Sequence, residues 1–114
     1  MNLEATLNTL LDNLSSKDQL LCVTKYASMD CIQALYDLGI RQFGENKVQD
    51  AEKKIQAFQF TDCRWELIGH LQTNKAKKAV SLFDRIQSVD SIKLLKKINE
   101  EAQKIHKNQC VLIQ

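Results

Sequence analysis

Short apolar runs alternate with helical apolar stripes along this chain, and no two runs lie close enough in sequence to form a β-hairpin. That alternation constrains the fold more than any other feature. Antiparallel strands can be joined by a two-residue turn, whereas parallel neighbours need a crossover of a dozen or more residues, usually a helix. Here the strand starts recur about every 20 to 25 residues, which leaves room for one helix each time.

The elements read as follows. Leucines at positions 3, 7, 10, 11 and 14 form a helical stripe over Met1–Ser15. Leu20–Lys25 is a short apolar strand. Ser28 is placed to cap a helix carrying Ile32, Leu35 and Leu38, with Gly39 as its left-handed stop. Ile40–Gly44 is a second strand, and Asn46–Phe58 a helix with Val48, Ala51 and Ile55 on one side. Arg64–Ile68 is a third strand. A loop over Gly69–Thr73 leads to a helix from Asn74 to Leu82. Asp84–Val89 is a fourth strand. Asp90 or Ser91 caps a helix with Ile92, Leu95, Ile98, Ala102 and Ile105 on one face. Gln109–Gln114 opens a fifth strand.

An initial helix followed by strict β–α alternation predicts parallel strands with right-handed crossovers. Two architectures satisfy that order: an open doubly wound sheet and a (β/α)8 barrel. After the first strand stands Tyr26-Ala27-Ser28, with no glycine-rich phosphate turn, which weighs against the dinucleotide-binding version. The run Val111-Leu112-Ile113-Gln114 would be buried on both faces in a parallel sheet, yet no helix follows to cover it. Five strands do not close an eight-stranded barrel. The expectation is therefore that residues 1–114 are the N-terminal portion of a longer protein, truncated in strand five, with both architectures still open. The complete protein is expected to be a monomer, and the open sheet edge to let the fragment self-associate.

Composition excludes several function classes. The chain is 44% hydrophobic and 26% charged, ordinary for a globular protein. A formal net charge of only +2, with lysines spread among acids on helical segments, argues against a nucleic-acid binder. No apolar run approaches the roughly 18 residues of a membrane helix. Met1–Leu14 lacks the basic start and continuous apolar stretch of a signal peptide, so a cytoplasmic location is the default. Cys22, Cys31, Cys63 and Cys110 show no metal-type spacing and read as buried free thiols.

Parallel α/β folds place their sites at the C-terminal ends of the strands. Those ends hold Lys25, then Glu45 and Asn46, then Gly69 and His70, then Ser88 and Asp90, then Gln114. A lysine closing an apolar strand points into the mouth of the fold, where partial desolvation favours the neutral amine that imine formation requires. It could equally snorkel to solvent. Gly44 would allow a sharp strand-to-helix turn, and Asn46 either caps the helix or faces a ligand. Gly69 would let a ligand approach the backbone. His70 either meets a cofactor ring or is satisfied within its loop. Ser88 could offer a hydroxyl to a ligand or take part in capping the next helix. Phe43, Trp65 and Phe83 are core candidates.

Five pieces of the chain then carry a resemblance. They are Leu21-Cys22-Val23-Thr24-Lys25, Phe43-Gly44-Glu45-Asn46 with Val48-Gln49, Trp65 with Ile68-Gly69-His70-Leu71-Gln72 and Asn74-Lys75, Ser88-Val89-Asp90-Ser91, and Val111-Leu112-Ile113-Gln114. In this order and spacing they resemble the YggS/PROSC family of pyridoxal phosphate homeostasis proteins, relatives of the N-terminal barrel of alanine racemase. The resemblance implies a (β/α)8 barrel that binds pyridoxal 5′-phosphate (PLP) as a Schiff base on Lys25. It puts Asn46, His70 and Ser88 near the cofactor. It implies a carrier acting in vitamin B6 homeostasis, with no established catalytic reaction. The alternative from the same superfamily is a racemase-like enzyme, which would need a second acid/base group on the far side of the cofactor. A third possibility is a degenerate fragment that survives as an interaction partner. The chain departs from the family at Tyr26-Ala27-Ser28, at Lys47 and at Glu66. Phosphate-gripping loops follow the late strands in such barrels, so these residues alone are expected to hold PLP weakly.

Overall fold

The structure, a computed structural model, describes residues 3–14 and 20–114. Helix α1, Leu3–Leu11, occupies the predicted N-terminal stripe; Met1, Asn2 and Ser15 of that prediction lie outside the described residues. Four βα units follow, then a last strand. The strands are β1 (Cys22–Val23), β2 (Gln42–Glu45), β3 (Arg64–Leu67), β4 (Arg85–Val89) and β5 (Cys110–Ile113). The helices between them are α2 (Met29–Asp37), α3 (Val48–Ala57), α4 (Ala76–Leu82, after a 3-10 turn at Thr73–Lys75) and α5 (Ile92–Lys104). All four pairings are parallel, and the spatial order is β1-β2-β3-β4-β5. A doubly wound sheet reverses its order at a switch point. Sequential order without reversal is the wall of a barrel.

The register shows which face of that wall is covered. Val23, Gly44, Glu66, Arg85 and Cys110 form one row across the sheet. Side chains in one row share a face, and the next row points the other way. That next row holds Glu45, Leu67, Ile86 and Val111 and packs under the helices, with Leu67 and Ile86 fully buried. The first row lies on the opposite face, where Val23 is 49% exposed. The core therefore sits between one face of the sheet and α2–α5. Phe43, Trp65 and Phe83 belong to it, as expected. Phe43 packs on Trp65 with ring centroids 5.1 Å apart, and both meet Phe58 at the end of α3.

The helix signals held where a side chain could satisfy backbone donors. Ser28 accepts from Cys31 N at 3.2 Å, and Ser91, rather than Asp90, accepts from Leu94 N at 3.1 Å. Gly39 has φ 99° and stops α2. The last turn of α4 is closed from outside: Lys107 donates to Val80 O at 2.6 Å and to Phe83 O at 2.7 Å, which satisfies C-terminal carbonyls with a cation.

Several expectations need correction. Strand β1 has only two ladder residues, because it is an edge with a single partner and turns away immediately after Thr24. Gly44 makes no turn; it lies inside β2, paired with Val23 and Glu66. Helix α5 is rolled relative to the predicted face. Leu94, Ile98, Glu101 and Ala102 are buried, whereas Ile92 is 72% and Ile105 52% exposed. A buried glutamate breaks the apolar stripe, so periodicity of apolar residues alone misplaces its centre. The cysteines are free, but Cys31 and Cys110 are exposed and Cys22 and Cys63 only half-buried. Cys110 lies on the sheet face away from the helices and on the edge strand β5, so a residue in an apolar run is not buried. Burial lifts the Cys63 thiol to about 11, with Asp62 adding to the effect.

Glu101 is tolerated in the core because Lys97 and Lys104 each reach its Oε1 at 3.1 Å. These hydrogen bonds, Lys97 first, hold its carboxyl below the ordinary value of 4.5. A carboxyl lowered on folding stabilises the fold above its unfolded value and loses that contribution as pH falls through the folded value. Glu101→Gln is thus expected to melt below the parent at neutral pH. The gap should close on acidification through and below the ordinary carboxylate range. A gap that is constant or widens on acidification in a pH series of thermal melts would count against this role.

Candidate functional site

Because every strand is parallel, every βα connection leaves the sheet at the same end. Lys25, Asn46, His70 and Ser88 all belong to that end, at or just after the termini of β1, β2, β3 and β4. The four residues thus share one end of the sheet, and each is held by contacts that the sequence reading did not anticipate.

Lys25 does not end the strand. It is the second residue of a tight turn closed by Ala27 N donating to Thr24 O at 2.9 Å. The third residue, Tyr26, has φ 61° and is 97% exposed. Positive φ at the third position with none at the second is the pattern of a type II turn, normally glycine or asparagine there. Lys25 itself is exposed, with Nζ 6.0 Å from the Tyr26 ring centroid. The shielding expected from a strand-end position is absent, because the turn carries the side chain out of the sheet.

Asn46 does not cap α3. The N-cap is Lys47, which makes no side-chain cap hydrogen bond. Half-buried Asn46 instead meets the next connection through its backbone. A Cβ added at Gly69 would lie 2.2 Å from Asn46 O and 2.9 Å from Asn46 C and Cα. The space beside Gly69 is therefore filled by this chain, not kept for a ligand. Ser88 completes the junction by donating from its hydroxyl to Gly69 O at 2.5 Å. It is buried and caps no helix, that task falling to Ser91. The three residues thus stitch the ends of β2, β3 and β4 together. His70 projects from the same loop and is exposed, with Nδ1 3.6 Å from Asp90 Oδ2, a contact that becomes an ion pair only when the imidazole is protonated.

A cleft of about 290 Å³ opens where the two most specific sequence pieces meet. Asn46, Gln49, His70, Gln72 and Lys75 are among the residues that line it. Its polar groups include an amide, an imidazole and an ammonium, which suit an oxygen-rich or anionic ligand. Among the described residues no group of His, Cys, Asp and Glu is placed to hold a metal ion.

Below Lys25 lies a polar network that the sequence did not announce. Glu45 is 1% exposed and faces α3. Thr24 donates its hydroxyl to Glu45 Oε2. Lys54, from the middle of α3, donates to Glu45 Oε1 at 3.1 Å, to Oε2 at 3.0 Å and to Thr24 O at 2.5 Å. The sequence reading placed Glu45 just past the strand, at its end, whereas it lies inside β2; its partner nine residues on carried no signal. Glu66, on the opposite face, is likewise buried and met by Gln87 at 2.8 Å and Arg85 at 3.5 Å.

Gly69→Ala would drive a methyl group into backbone that cannot rotate away. Overpacking of this kind costs about 1–3 kcal/mol and sometimes more. Urea unfolding is expected to show a loss at the upper end of that range for Gly69→Ala. Gly44→Ala meets only side-chain atoms at 3.3–3.5 Å and should lose far less. Equal losses at the two positions would contradict the assignment of Gly69 as a backbone contact point.

No protein-family profile matches the chain. Among curated proteins, the pyridoxal phosphate homeostasis protein of Synechocystis sp. is 37% identical over 106 residues, covering 92% of this chain and 49% of that protein. The protein of the same name from Helicobacter pylori is 37% identical over 97 residues, covering 84% of this chain and 44% of the relative. Among solved structures, PipY of Synechococcus elongatus without PLP superposes with a TM-score of 0.90 at 36% identity, over 96% of this chain and 52% of that one. The PLP-bound form of PipY gives 0.88 at 37% identity, over 95% and 51%. Alanine racemase of Clostridium difficile shares the fold alone, with a TM-score of 0.77 at 16% identity over 99% of this chain and 33% of the racemase. The sheet order and these superpositions agree on part of a (β/α)8 barrel wall. The chain is similar to the pyridoxal phosphate homeostasis proteins, and it spans about half the length of the curated relatives it matches.

Proposed function

We propose that this chain is part of a PLP-binding protein of cytoplasmic vitamin B6 homeostasis, with the cofactor held as a Schiff base on Lys25. The supporting observation is the placement of an accessible primary amine on a turn at the C-terminal end of β1, beside the connections that carry Asn46, His70 and Ser88. PipY, to which the chain is similar, has been solved with PLP bound.

The residues present fit the reactive end of that cofactor. An aldehyde needs an amine that solvent can reach, and Lys25 makes no ion pair among the described residues. When bound, PLP supplies an aldehyde carbon and an electron-withdrawing ring. Lys25 would hold that carbon through its amine nitrogen. Asn46 and His70 are placed to offer hydrogen-bonding groups, and Ser88 to hold the Gly69 carbonyl in place. The sheet face away from the helices, with exposed Val23 and Leu112, supports a domain that further strands complete. The racemase-like alternative rests on fold likeness alone.

Incubation with PLP, reduction with borohydride and peptide mapping test the assignment. Label is expected on Lys25 ahead of other surface lysines such as Lys93, with the excess gone in Lys25→Ala. Label spread evenly over the surface lysines, unchanged by Lys25→Ala, would refute it.

A further inference from the structure

The ammonium of Lys54 has three protons, and each has a destination: two go to the Glu45 carboxylate and one to the carbonyl of Thr24. That carbonyl is the atom that closes the turn bearing Lys25. We propose that Lys54 and Glu45 are positioning residues for Lys25, clamping the turn so that its amine is presented in one place. The proposal rests on the reading of Lys25 as the cofactor lysine.

Four observations carry it. The turn holds Tyr26 at φ 61°, a region unfavourable for a bulky side chain, and such geometry persists only where its surroundings over-determine it. Tyr26 is almost wholly exposed, so its own packing does not enforce the turn. What remains is the Thr24 anchor. Thr24 is fully buried; its amide donates to Gly44 O at 3.0 Å, its hydroxyl to Glu45, and its carbonyl accepts from both Ala27 N and Lys54. The clamp also ties α3 to two strands at once, so Lys25 is fixed relative to the connection that begins with Asn46. Finally, a buried lysine–glutamate pair is a poor source of stability compared with apolar side chains of like volume, and registry is the better-attested use of such pairs. Around metal sites, the groups that orient a ligating residue typically change affinity or activity by about tenfold or more when removed, and an effect of that order is expected here.

Three measurements on the 114-residue chain decide the matter. In the parent, the Ala27 amide is expected to be protected from hydrogen exchange, although its turn is on the surface; an unprotected Ala27 amide overturns the clamp without any variant. In the charge-neutral double variant Glu45→Gln/Lys54→Met, the Lys25-to-Lys93 ratio of borohydride-trapped PLP label should fall about tenfold. The same ratio for reductive methylation with formaldehyde should be unchanged, because the amine remains exposed and formaldehyde is too small to need a fixed approach. Lys54→Arg, which keeps a cationic donor, should retain most of the PLP label. A PLP ratio that survives in a folded double variant overturns the positioning role alone. A parent that shows no excess at Lys25, with Ala27 protected, overturns the cofactor-lysine reading and leaves the clamp a purely structural device. A fall in both ratios together means that Lys25 has become less accessible, and overturns the positioning role as well.

Discussion

Parallel pairing in sequential order is the constraint on which the rest of the molecule depends. Each strand must be left and re-entered at opposite ends, so each connection carries a helix back along one face of the sheet. The consequence is a division of labour between the two ends of the strands. The N-terminal ends receive the chain from the helices. The C-terminal ends all open into βα turns, and these turns hold Lys25, Asn46, His70 and Asp90 without further arrangement. Their shared position is thus a by-product of topology before any side chain is chosen.

Side-chain chemistry then decides how firmly those turns are held. Apart from the Gln109 side-chain oxygen, the buried side-chain polar groups among the described residues are paired, as burial in a low-dielectric interior favours. Glu45 has Thr24 and Lys54, Glu66 has Gln87 and Arg85, Glu101 has Lys97 and Lys104, and Ser88 has the Gly69 carbonyl. These partnerships do different work. The Glu101 group lies on a helix and stabilises its packing. The Ser88 and Gly69 contact closes the ends of three strands against one another. The Glu45 group reaches the backbone directly beneath Lys25. An apolar core could replace the first; nothing apolar could supply the hydrogen bonds of the other two.

The uncovered face of the sheet gives the same reading from the opposite side. Val23 and Leu112 are apolar and exposed, and Cys110 lies with Val23 in the row that looks away from the helices. In a closed barrel that row lines the interior. The match to relatives over about half their length, and to PipY with a TM-score of 0.90, fits a wall of a larger barrel.

What the amino-acid sequence determined by itself was the set of elements and the direction of their pairing. Ser28, Gly39 and Ser91 marked helix ends through local hydrogen bonds and backbone freedom, and the spacing of the apolar runs dictated parallel strands. Those signals act within a few residues, so they survive in one dimension. The ring of strand-end residues was legible for the same reason, and the ordered motifs singled out Lys25. Tertiary structure alone decided how those residues are held. It moved Lys25 from a strand end onto a turn, turned Asn46 from a cap into a contact for Gly69, and rolled α5 about Glu101. It also joined Lys54 to Thr24 across thirty positions of sequence. Contacts of that kind depend on which faces meet after folding, and no local preference of a lysine or a glutamate encodes them.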